Sequence, residues 1–150
     1  MIDLQLTDHF KLSEFTRTRH TEFAPGVHNA AIQFMGNLLA VARELEKVRL
    51  MFCRPVFITS GVRSVVLNNY VGGNMASQHI LGQAADFVVE GFQDPTSMQF
   101  VFEWCKNHLE YRQLILEKPT GRKPWIHLGI PNGDGKREAL IFDGAKYERA

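Results

Sequence analysis

Hydrophobic positions in the first third of the chain recur with helical spacing. Between residues 30 and 50 an apolar side chain appears every three or four positions, and charged side chains occupy many of the positions between them. The apolar positions are Ile32, Met35, Leu38, Leu39, Ala42, Leu45 and Val48. This spacing places them on one face of an α-helix. The pattern therefore predicts a helix over residues 30–50 whose apolar stripe lies in the core.

Short apolar runs dominate the rest of the chain and are typical of β-strands. The predicted strands cover residues 55–59, 84–89, 112–117, 125–130 and 139–142, and a polar tail follows the last one. Ser64 is the predicted cap of a short helix, and Asp94 followed by Pro95 begins another. Residues 16–26 are polar, end in Ala-Pro-Gly and predict a loop. The sequence thus predicts an α+β fold in which helices pack on a small, mostly antiparallel sheet.

Length and charge limit the possible partners. A chain of 150 residues is the size of one ordinary domain, so residues 1–150 are expected to form a single domain. Lys and Arg number 17 against 16 Asp and Glu, which leaves no overall field for nucleic acid or an anionic membrane. The N-terminus carries acids and no basic-then-apolar run. We therefore expect no signal peptide, no membrane span, synthesis in the cytoplasm and a monomer.

Residues 77–87 contain two potential metal ligands. His79 and Asp86 lie seven residues apart, on either side of Gly82, and Asp86 belongs to an apolar run that predicts a strand. Imidazole and carboxylate groups both bind zinc, and a catalytic zinc ion usually takes three protein ligands and leaves a fourth position for water. A His and an Asp in a glycine-containing loop are also common as surface or capping residues. The pair alone leaves a metal site and a structural role both open.

A third potential ligand lies in the predicted strand over residues 125–130. Alternation puts Trp125 and His127 on one face, which makes His127 the odd residue of an otherwise apolar strand. The loop before this strand is rich in charge, proline and glycine and predicts a hairpin. If its turn is centred near Gly121, Glu117 lies opposite Trp125 and diagonal to His127, roughly 7–8 Å away at Cα. A core histidine and an exposed turn glutamate are the alternative interpretations.

These residues, with two blocks upstream, resemble the signature of the M15 zinc peptidases. The pattern Ser-x-His-x-x-Gly-x-Ala-x-Asp at residues 77–86, followed by Trp-x-His at 125–127, is similar to that family's motif. The subgroup it most resembles, the D-Ala-D-Ala carboxypeptidases and phage endolysins, also carries Leu-Ser-Glu-Phe, here residues 12–15, and a block similar to residues 58–64. The resemblance spans nearly the whole chain. It implies the Hedgehog/DD-peptidase fold.

The resemblance also implies a reaction and the residues that perform it. The ligands of one Zn²⁺ per chain would be His79, Asp86 and His127. Glu117 would be the general base for metal-activated water, and Arg63 and Ser77 would face the substrate, although Arg63 fits a structural ion pair equally well. The reaction would be hydrolysis of peptide bonds in peptidoglycan stem peptides or cross-links that contain D-residues. The protein would then act at the cell wall, as a phage or prophage lysis protein or after export by another route.

Two positions depart from the family pattern. Val62 stands where a Tyr usually precedes the Arg, which would alter substrate preference more than chemistry. Pro124 stands three residues before the last ligand, where many relatives carry the catalytic acid. Glu117 would therefore have to act from across the hairpin. Glu138 and Asp143 are weaker substitutes, because nothing in the sequence directs them at a metal ion.

Three other functions remain possible from the residues. A zinc-containing but catalytically inactive wall-binding module of the same fold would bind metal without hydrolysis. An adaptor could bind an anionic polymer through Lys118, Arg122 and Lys123, although a solvated hairpin tip explains those charges more simply. A cysteine-dependent hydrolase is disfavoured, because Cys53 and Cys105 lie in neither a Gly-rich loop nor a helix start.

Overall fold

Helical segments make up much of the first half of the described chain. The computed structural model describes residues 3–150. Met1 and Ile2, which begin the N-terminal segment for which we expect no signal peptide, lie outside the described residues. The α-helices within that range are α1 (Leu12–Thr16), α2 (Ala24–Gln33), α3 (Met35–Phe52), α4 (Val65–Tyr70) and α5 (Pro95–His108). Two single 3-10 turns cover Thr21–Phe23 and Gln78–Leu81.

Six strands form one mixed sheet within residues 3–150. They are β1 (Val56–Ser60), β2 (Ala84–Val89), β3 (Gln113–Glu117), β4 (Trp125–Gly129), β5 (Glu138–Phe142) and β6 (Tyr147–Arg149). Their order across the sheet is β1-β2-β4-β3-β5-β6, and every neighbouring pair is antiparallel except β3 and β5. Helices that accompany a small, mostly antiparallel sheet confirm the predicted α+β class.

The two faces of the sheet differ in chemistry. One face packs against α3 and α5, and the core residues that its central strands contribute are Ala85, Phe87, Val89, Leu114, Leu116, Ile126 and Leu128. All of these are fully buried. The residues that alternate with them face the other side, where the register places Asp86 opposite His127 and Glu117 opposite Trp125. Strand alternation therefore separates the apolar core from a second, polar face of the same strands.

The predicted helix over residues 30–50 is wrong in its start and in its continuity. The chain becomes helical one residue before Pro25, because proline is tolerated in the first turn of a helix, where its missing N–H needs no partner. The helix then breaks at Phe34, whose backbone angles (φ −111°, ψ 27°) separate α2 from α3. Ile32 is 58 % exposed instead of buried, since α2 turns the adjacent Ala31 into the core.

Two further boundaries differ from the prediction. The loop expected over residues 16–26 is shorter, because the first 3-10 turn and the start of α2 occupy its second part. The polar tail contains β6, which pairs with β5 although all three of its residues are exposed. A strand at the edge of a sheet forms its backbone hydrogen bonds to one neighbour only and can keep polar side chains in solvent, so apolar patterning did not reveal it.

The helix caps predicted at Ser64 and Asp94 are confirmed. Ser64 Oγ accepts a hydrogen bond from the Leu67 N–H at 3.2 Å and caps α4. The Asp94 carboxylate accepts hydrogen bonds from two N–H groups in the first turn of α5, which begins at Pro95. The first cap has a consequence for function, because it fixes the point at which the chain leaves Arg63 and turns into α4.

Candidate active site

Three potential metal ligands meet on the polar face of the sheet. His79, Asp86 and His127 each offer one ligand atom, and these atoms all lie within 4.8 Å of one another. Asp86 and His127 are directly opposite in the register of β2 and β4, while His79 comes from the 3-10 turn that precedes β2. Asp86 Oδ1 lies 3.2 Å from His79 Nε2 and 2.8 Å from His127 Nδ1. The fold thus brings together the three residues that the sequence singled out.

A backbone carbonyl determines which nitrogen of His79 faces the other two side chains. His79 Nδ1 lies 2.7 Å from the carbonyl oxygen of Gly61, and because that oxygen can only accept, Nδ1 carries the hydrogen. The lone pair of the neutral ring is then on Nε2, 3.2 Å from Asp86 Oδ1. A lone pair and a carboxylate oxygen at this distance repel each other unless a proton or a metal ion lies between them. Histidine ligands of metal ions are typically oriented in this way through their second nitrogen.

Burial and charge give these side chains the protonation states that metal binding requires. Burial lowers the pKa of His79, against the opposing effect of Asp86, and so favours the neutral ring. Burial by itself would raise the pKa of Asp86, but His79 and the hydrogen bond from His127 outweigh it and hold that pKa below its usual range. A neutral imidazole and an ionised carboxylate are the forms that bind metal. Two nitrogens and one oxygen fit a zinc site with one open position.

The turn that carries His79 is attached to the end of β4. Gln78 is 7 % exposed, and its Nε2 donates a hydrogen bond to the carbonyl oxygen of Ile130 at 2.9 Å. Gly129 makes room for this side chain, because a Cβ there would lie 2.0 Å from Gln78 Oε1. The contact fixes His79 relative to the strand that carries His127.

Glu117 lies where the hairpin register was predicted to place it. It is directly opposite Trp125 and therefore diagonal to His127, on the face of the sheet that carries the three ligands. The side chain is half-buried, and burial raises its pKa, as does the charge of Asp86, while His127 acts in the opposite direction. A carboxyl group with a raised pKa beside a group that could hold a metal ion has the properties of a general acid–base residue.

The two alternative carboxylates have structural partners instead. Glu138 Oε1 accepts a hydrogen bond from Gln113 Nε2 at 2.6 Å, and its side chain is exposed. Asp143 Oδ1 accepts hydrogen bonds from the backbone N–H groups of Ala145 and Lys146 in the turn between β5 and β6. The geometry therefore favours Glu117 over both substitutes.

Arg63 is held beside the ligands by three side chains. Its Nε and Nη2 both donate to Ser60 Oγ, at 3.1 and 2.9 Å, and its Nη1 donates to Asn68 Oδ1 at 3.4 Å. Nη2 also lies 3.5 Å from Asp86 Oδ2. The guanidinium thus forms the ion pair that one interpretation of the sequence expected. One hydrogen of Nη1 stays without a partner within residues 3–150, which leaves the guanidinium able to bind a further oxygen.

The N-terminal motif supports the site from a distance. The carbonyl oxygen of Phe15, the next-to-last residue of α1, accepts a hydrogen bond from Val62 N–H at 2.9 Å. A Cβ on Gly61 would lie 2.1 Å from that same oxygen, so only glycine fits there. Since the Gly61 carbonyl orients His79, α1 acts on the site through one backbone segment. Nothing in the sequence indicated this connection, because it depends on contact between distant segments.

Val62, which stands where a Tyr was expected from the resemblance, lies in the core. Val62 is 3 % exposed and belongs to the main hydrophobic cluster. Its side chain is therefore packed among apolar neighbours, and the departure concerns core packing at this position. The prediction of an altered substrate preference stays a prediction.

Ser77 occupies the cap position of the turn that carries His79. Its Oγ accepts a hydrogen bond from the His79 N–H at 3.3 Å, and its own N–H donates to the carbonyl oxygen of Asn74 at 2.9 Å. These contacts give Ser77 a local structural role next to a ligand. Its predicted contact with substrate stays a prediction.

Tyr147 is a residue near the site that sequence reasoning missed. Phe142 is opposite Glu117 in the β3–β5 register, and Tyr147 is opposite Phe142, so all three share the polar face. The rings of Phe142 and Tyr147 are 4.7 Å apart. Burial raises the pKa of Tyr147, and so do the charges of Glu117 and Asp86. Its position in a polar tail gave no sequence signal.

The two cysteines do not contribute to this group. Cys105 is fully buried in α5, where burial raises the pKa of its thiol, and Cys53 ends α3 at φ 50°. Thiolates of cysteine hydrolases need a lowered pKa and access to substrate. Cys105 meets neither requirement, and Cys53 is not part of the group formed by His79, Asp86 and His127.

A His-Asp-His group that could hold a metal ion, with Glu117 on the same face of the sheet, is an arrangement expected of metal-dependent hydrolases. The sequence model of the family described as Peptidase M15 matches residues 8–128, which include the three potential ligands and Glu117. The chain therefore belongs to the peptidase M15 family, and the predicted family is confirmed. Membership implies metallopeptidase activity on a peptide substrate. No curated protein sequence matches the chain. No helix within residues 3–150 is long and apolar enough to cross a membrane.

Proposed function

We propose that this protein is a zinc peptidase that hydrolyses peptide bonds in peptidoglycan stem peptides or cross-links containing D-residues. The observation that carries the proposal is the convergence of His79, Asp86 and His127, with Glu117 on the same face of the sheet. The substrate class follows from the resemblance of the motifs, and action at the cell wall follows from the substrate. We further propose that residues 1–150 form one peptidase domain that acts as a monomer.

Under this proposal the three side chains hold one Zn²⁺ per chain. Their protonation states and donor atoms suit zinc, as does the hydrogen bond that orients His79. When bound, zinc supplies Lewis acidity towards a carbonyl group and lowers the pKa of a coordinated water towards roughly 7. Asp86 also holds Arg63, so the ligand group and the substrate-binding group share one carboxylate.

Glu117 is proposed as the general base of the reaction. It would accept a proton from the attacking water and deliver it to the nitrogen of the leaving amine. Its raised pKa favours this exchange, since a group that both takes and releases a proton works best with a pKa near the working pH. The half-buried position also keeps the carboxyl group partly away from bulk water.

Arg63 and Ser77 are proposed to contact the substrate. The planar guanidinium suits a carboxylate or a carbonyl oxygen better than a lysine would, and Ser60, Asn68 and Asp86 already fix its direction. Ser77 lies directly before the turn that holds His79, and its hydroxyl can donate while it accepts from the His79 N–H.

Mass spectrometry of products from defined peptidoglycan fragments tests the function. A pentapeptide stem ending in D-Ala-D-Ala and a cross-linked dimer, each incubated with zinc-loaded protein and with a chelator, separate the possible outcomes. Loss of one terminal residue indicates a carboxypeptidase, and separation of the dimer indicates an endopeptidase. Either activity should disappear with the chelator and return with zinc. Zinc-loaded protein that cleaves neither fragment would exclude the proposed reaction on these bonds.

Replacement of Glu117 tests its role separately. Glu117→Ala should lower kcat by about 10²- to 10⁴-fold, the usual contribution of a general base, while one zinc ion stays bound. Glu22→Ala provides a matched control, because Glu22 is exposed in the first 3-10 turn. Full activity of Glu117→Ala on the fragments that the unmodified protein cleaves would remove Glu117 from the mechanism.

One observation favours a second candidate function. Pro124, which is buried, stands where many relatives carry the catalytic acid. The same fold would then serve as an inactive zinc-containing module that binds cell-wall peptides. This candidate predicts one zinc ion per chain and binding of the fragments without any hydrolysis.

A further inference from the structure

Asn68 is a fully buried amide in α4, and its side chain has a partner at each end. Its Oδ1 accepts a hydrogen bond from Arg63 Nη1 at 3.4 Å, and its Nδ2 donates to the carbonyl oxygen of Asn74 at 3.0 Å. The chemistry of the partners fixes the orientation of the amide, since a guanidinium only donates and a carbonyl only accepts. A buried amide that lost either partner would keep the cost of its desolvation.

The second arm of Asn68 reaches the turn that carries His79. The carbonyl oxygen of Asn74, which accepts from Asn68 Nδ2, also accepts from the Ser77 N–H at 2.9 Å. The backbone oxygen of Asn68 accepts from Gly73 N–H at 2.8 Å, so both its side chain and its backbone bind this loop. One residue therefore connects Arg63 with the segment that presents Ser77.

Gly73 shows how closely this loop fits around the amide. A Cβ on Gly73 would lie 2.3 Å from Asn68 Oδ1 and 2.7 Å from its Cγ. Gly73 is not among the glycines with positive φ, so its backbone does not require glycine. The requirement comes from the Asn68 side chain alone. Gly73→Ala would therefore displace the amide without straining its own backbone.

We propose that Asn68 is a positioning residue, which sets the direction of the Arg63 guanidinium and the place of Ser77 through a single amide. The inference rests on the proposed function in that Arg63 and Ser77 act there as the substrate-contacting pair. Asn68 itself does not touch substrate. A misplacement of about 1 Å in such a pair is enough to slow a reaction by about a hundredfold.

Asn68→Ala tests the proposal, with Asn69→Ala as the matched control. Asn69 is the same residue type in the same helix but is exposed. Asn68→Ala should lower kcat/KM by about 10- to 100-fold on the fragments that the unmodified protein cleaves, with one zinc ion still bound. Asn69→Ala should leave kcat/KM unchanged. Unchanged kcat/KM in Asn68→Ala would overturn the proposal.

A double-mutant cycle separates positioning from a merely structural role. In an Arg63→Met background, the loss caused by Asn68→Ala should shrink, because the guanidinium that it directs is gone. A structural role would give the same loss in both backgrounds, and that result would overturn the proposal.

Gly73→Ala keeps the proposal testable if Asn68→Ala fails to fold. It should lower kcat/KM in the same direction, and Asn68→Ala combined with Gly73→Ala should be no worse than Asn68→Ala, because the obstructing side chain is then absent. Gly36→Ala is the control, since a Cβ on Gly36 meets no atom within 4 Å. A Gly73→Ala protein with unchanged kcat/KM would contradict the proposal.

One measurement does not depend on catalysis. The NMR signal of the Arg63 Nε–H reports its hydrogen bond to Ser60, and its exchange with water should accelerate in Asn68→Ala and stay unchanged in Asn69→Ala. If the unmodified protein cleaves no fragment but this signal responds as described, the proposed function fails and the positioning inference stands. If the fragments are cleaved and the signal is unchanged in Asn68→Ala, only the inference fails.

Discussion

Glu117 carries its charge in surroundings that disfavour it. The carboxyl group is half-buried at the end of β3, and burial and Asp86 both raise its pKa. Carboxyl groups with perturbed pKa values are common at functional sites, and functional residues are often unfavourable for stability. The environment that suits Glu117 to proton transfer should therefore lower the free energy of unfolding when the carboxyl group is ionised.

This cost should depend on pH with a definite sign. Because the folded state raises the pKa of Glu117, the folded protein binds that proton more tightly than the unfolded chain does. The contribution of Glu117 to stability is therefore complete below its ordinary pKa and is lost as pH rises through the raised value. In metal-free protein, Glu117→Gln should match the unmodified protein at low pH and become the more stable of the two above the raised pKa. Denaturant unfolding at a series of pH values measures the difference.

The comparison between variants removes the contribution of other ionisable groups. Glu22→Gln, at an exposed position, serves as the control for the change from Glu to Gln itself. If Glu117→Gln behaved like Glu22→Gln, its surroundings would not disfavour the charge.

At the scale of elements, the end of β1 and the turn after it connect three parts of the protein. Gly61 contacts Phe15 of α1, and its carbonyl orients His79. The backbone N–H of Arg63 donates to the carbonyl oxygen of His79 at 3.0 Å, so a second hydrogen bond joins this turn to His79. The short helix α1 therefore contributes, through Gly61, to the geometry of the potential metal ligand His79.

Gly61→Ala should disturb the core and the metal site together. Its Cβ would meet the Phe15 carbonyl oxygen at 2.1 Å, and such overpacking typically costs about 1–3 kcal/mol. The displaced carbonyl should also weaken zinc binding by about 10- to 100-fold, as other losses of a ligand's hydrogen-bond partner do. Denaturant unfolding and zinc competition against a chelator measure the two effects. Gly36→Ala should show neither, and normal zinc affinity in Gly61→Ala would disprove the connection.

At the scale of the whole molecule, the proposed metal site joins segments that are far apart in the chain. His79 precedes β2, Asp86 lies within it, and His127 is on β4. An unfolded chain does not hold these three together, so an ion that binds them stabilises the folded state alone. Metal binding should therefore be visible as thermal stability.

Zinc should raise Tm, and a chelator should reverse the change. At a free zinc concentration about a hundred times Kd, the added stability is about 2.7 kcal/mol. His127→Ala should lose most of this zinc-dependent shift, whereas His28→Ala, at an exposed position of α2, should keep it. Differential scanning calorimetry with zinc and with chelator makes the measurement. An equal shift in His127→Ala would show that zinc binds elsewhere.

Local patterns determined a large part of this protein. Alternation along β4 placed His127 and Trp125 on one face, and the turn residues of the hairpin placed Glu117 opposite Trp125, as the structure has it. The caps at Ser64 and Asp94 were equally readable, because a cap depends on residues three or four positions apart. The family motif identified His79 and Asp86 as partners of His127 before any geometry was known.

Only the tertiary structure decided how these pieces support one another. The hydrogen bond from His79 to Gly61, the contact of Phe15 with Gly61, and the amide of Asn68 between Arg63 and Asn74 all join separate segments. The pairing of β6 with β5 likewise depends on a neighbour outside its own segment. Sequence periodicity reports which face of an element is apolar, because that is a local property. It does not report which faces of different elements pack together, because that depends on contacts between segments that are distant in the sequence.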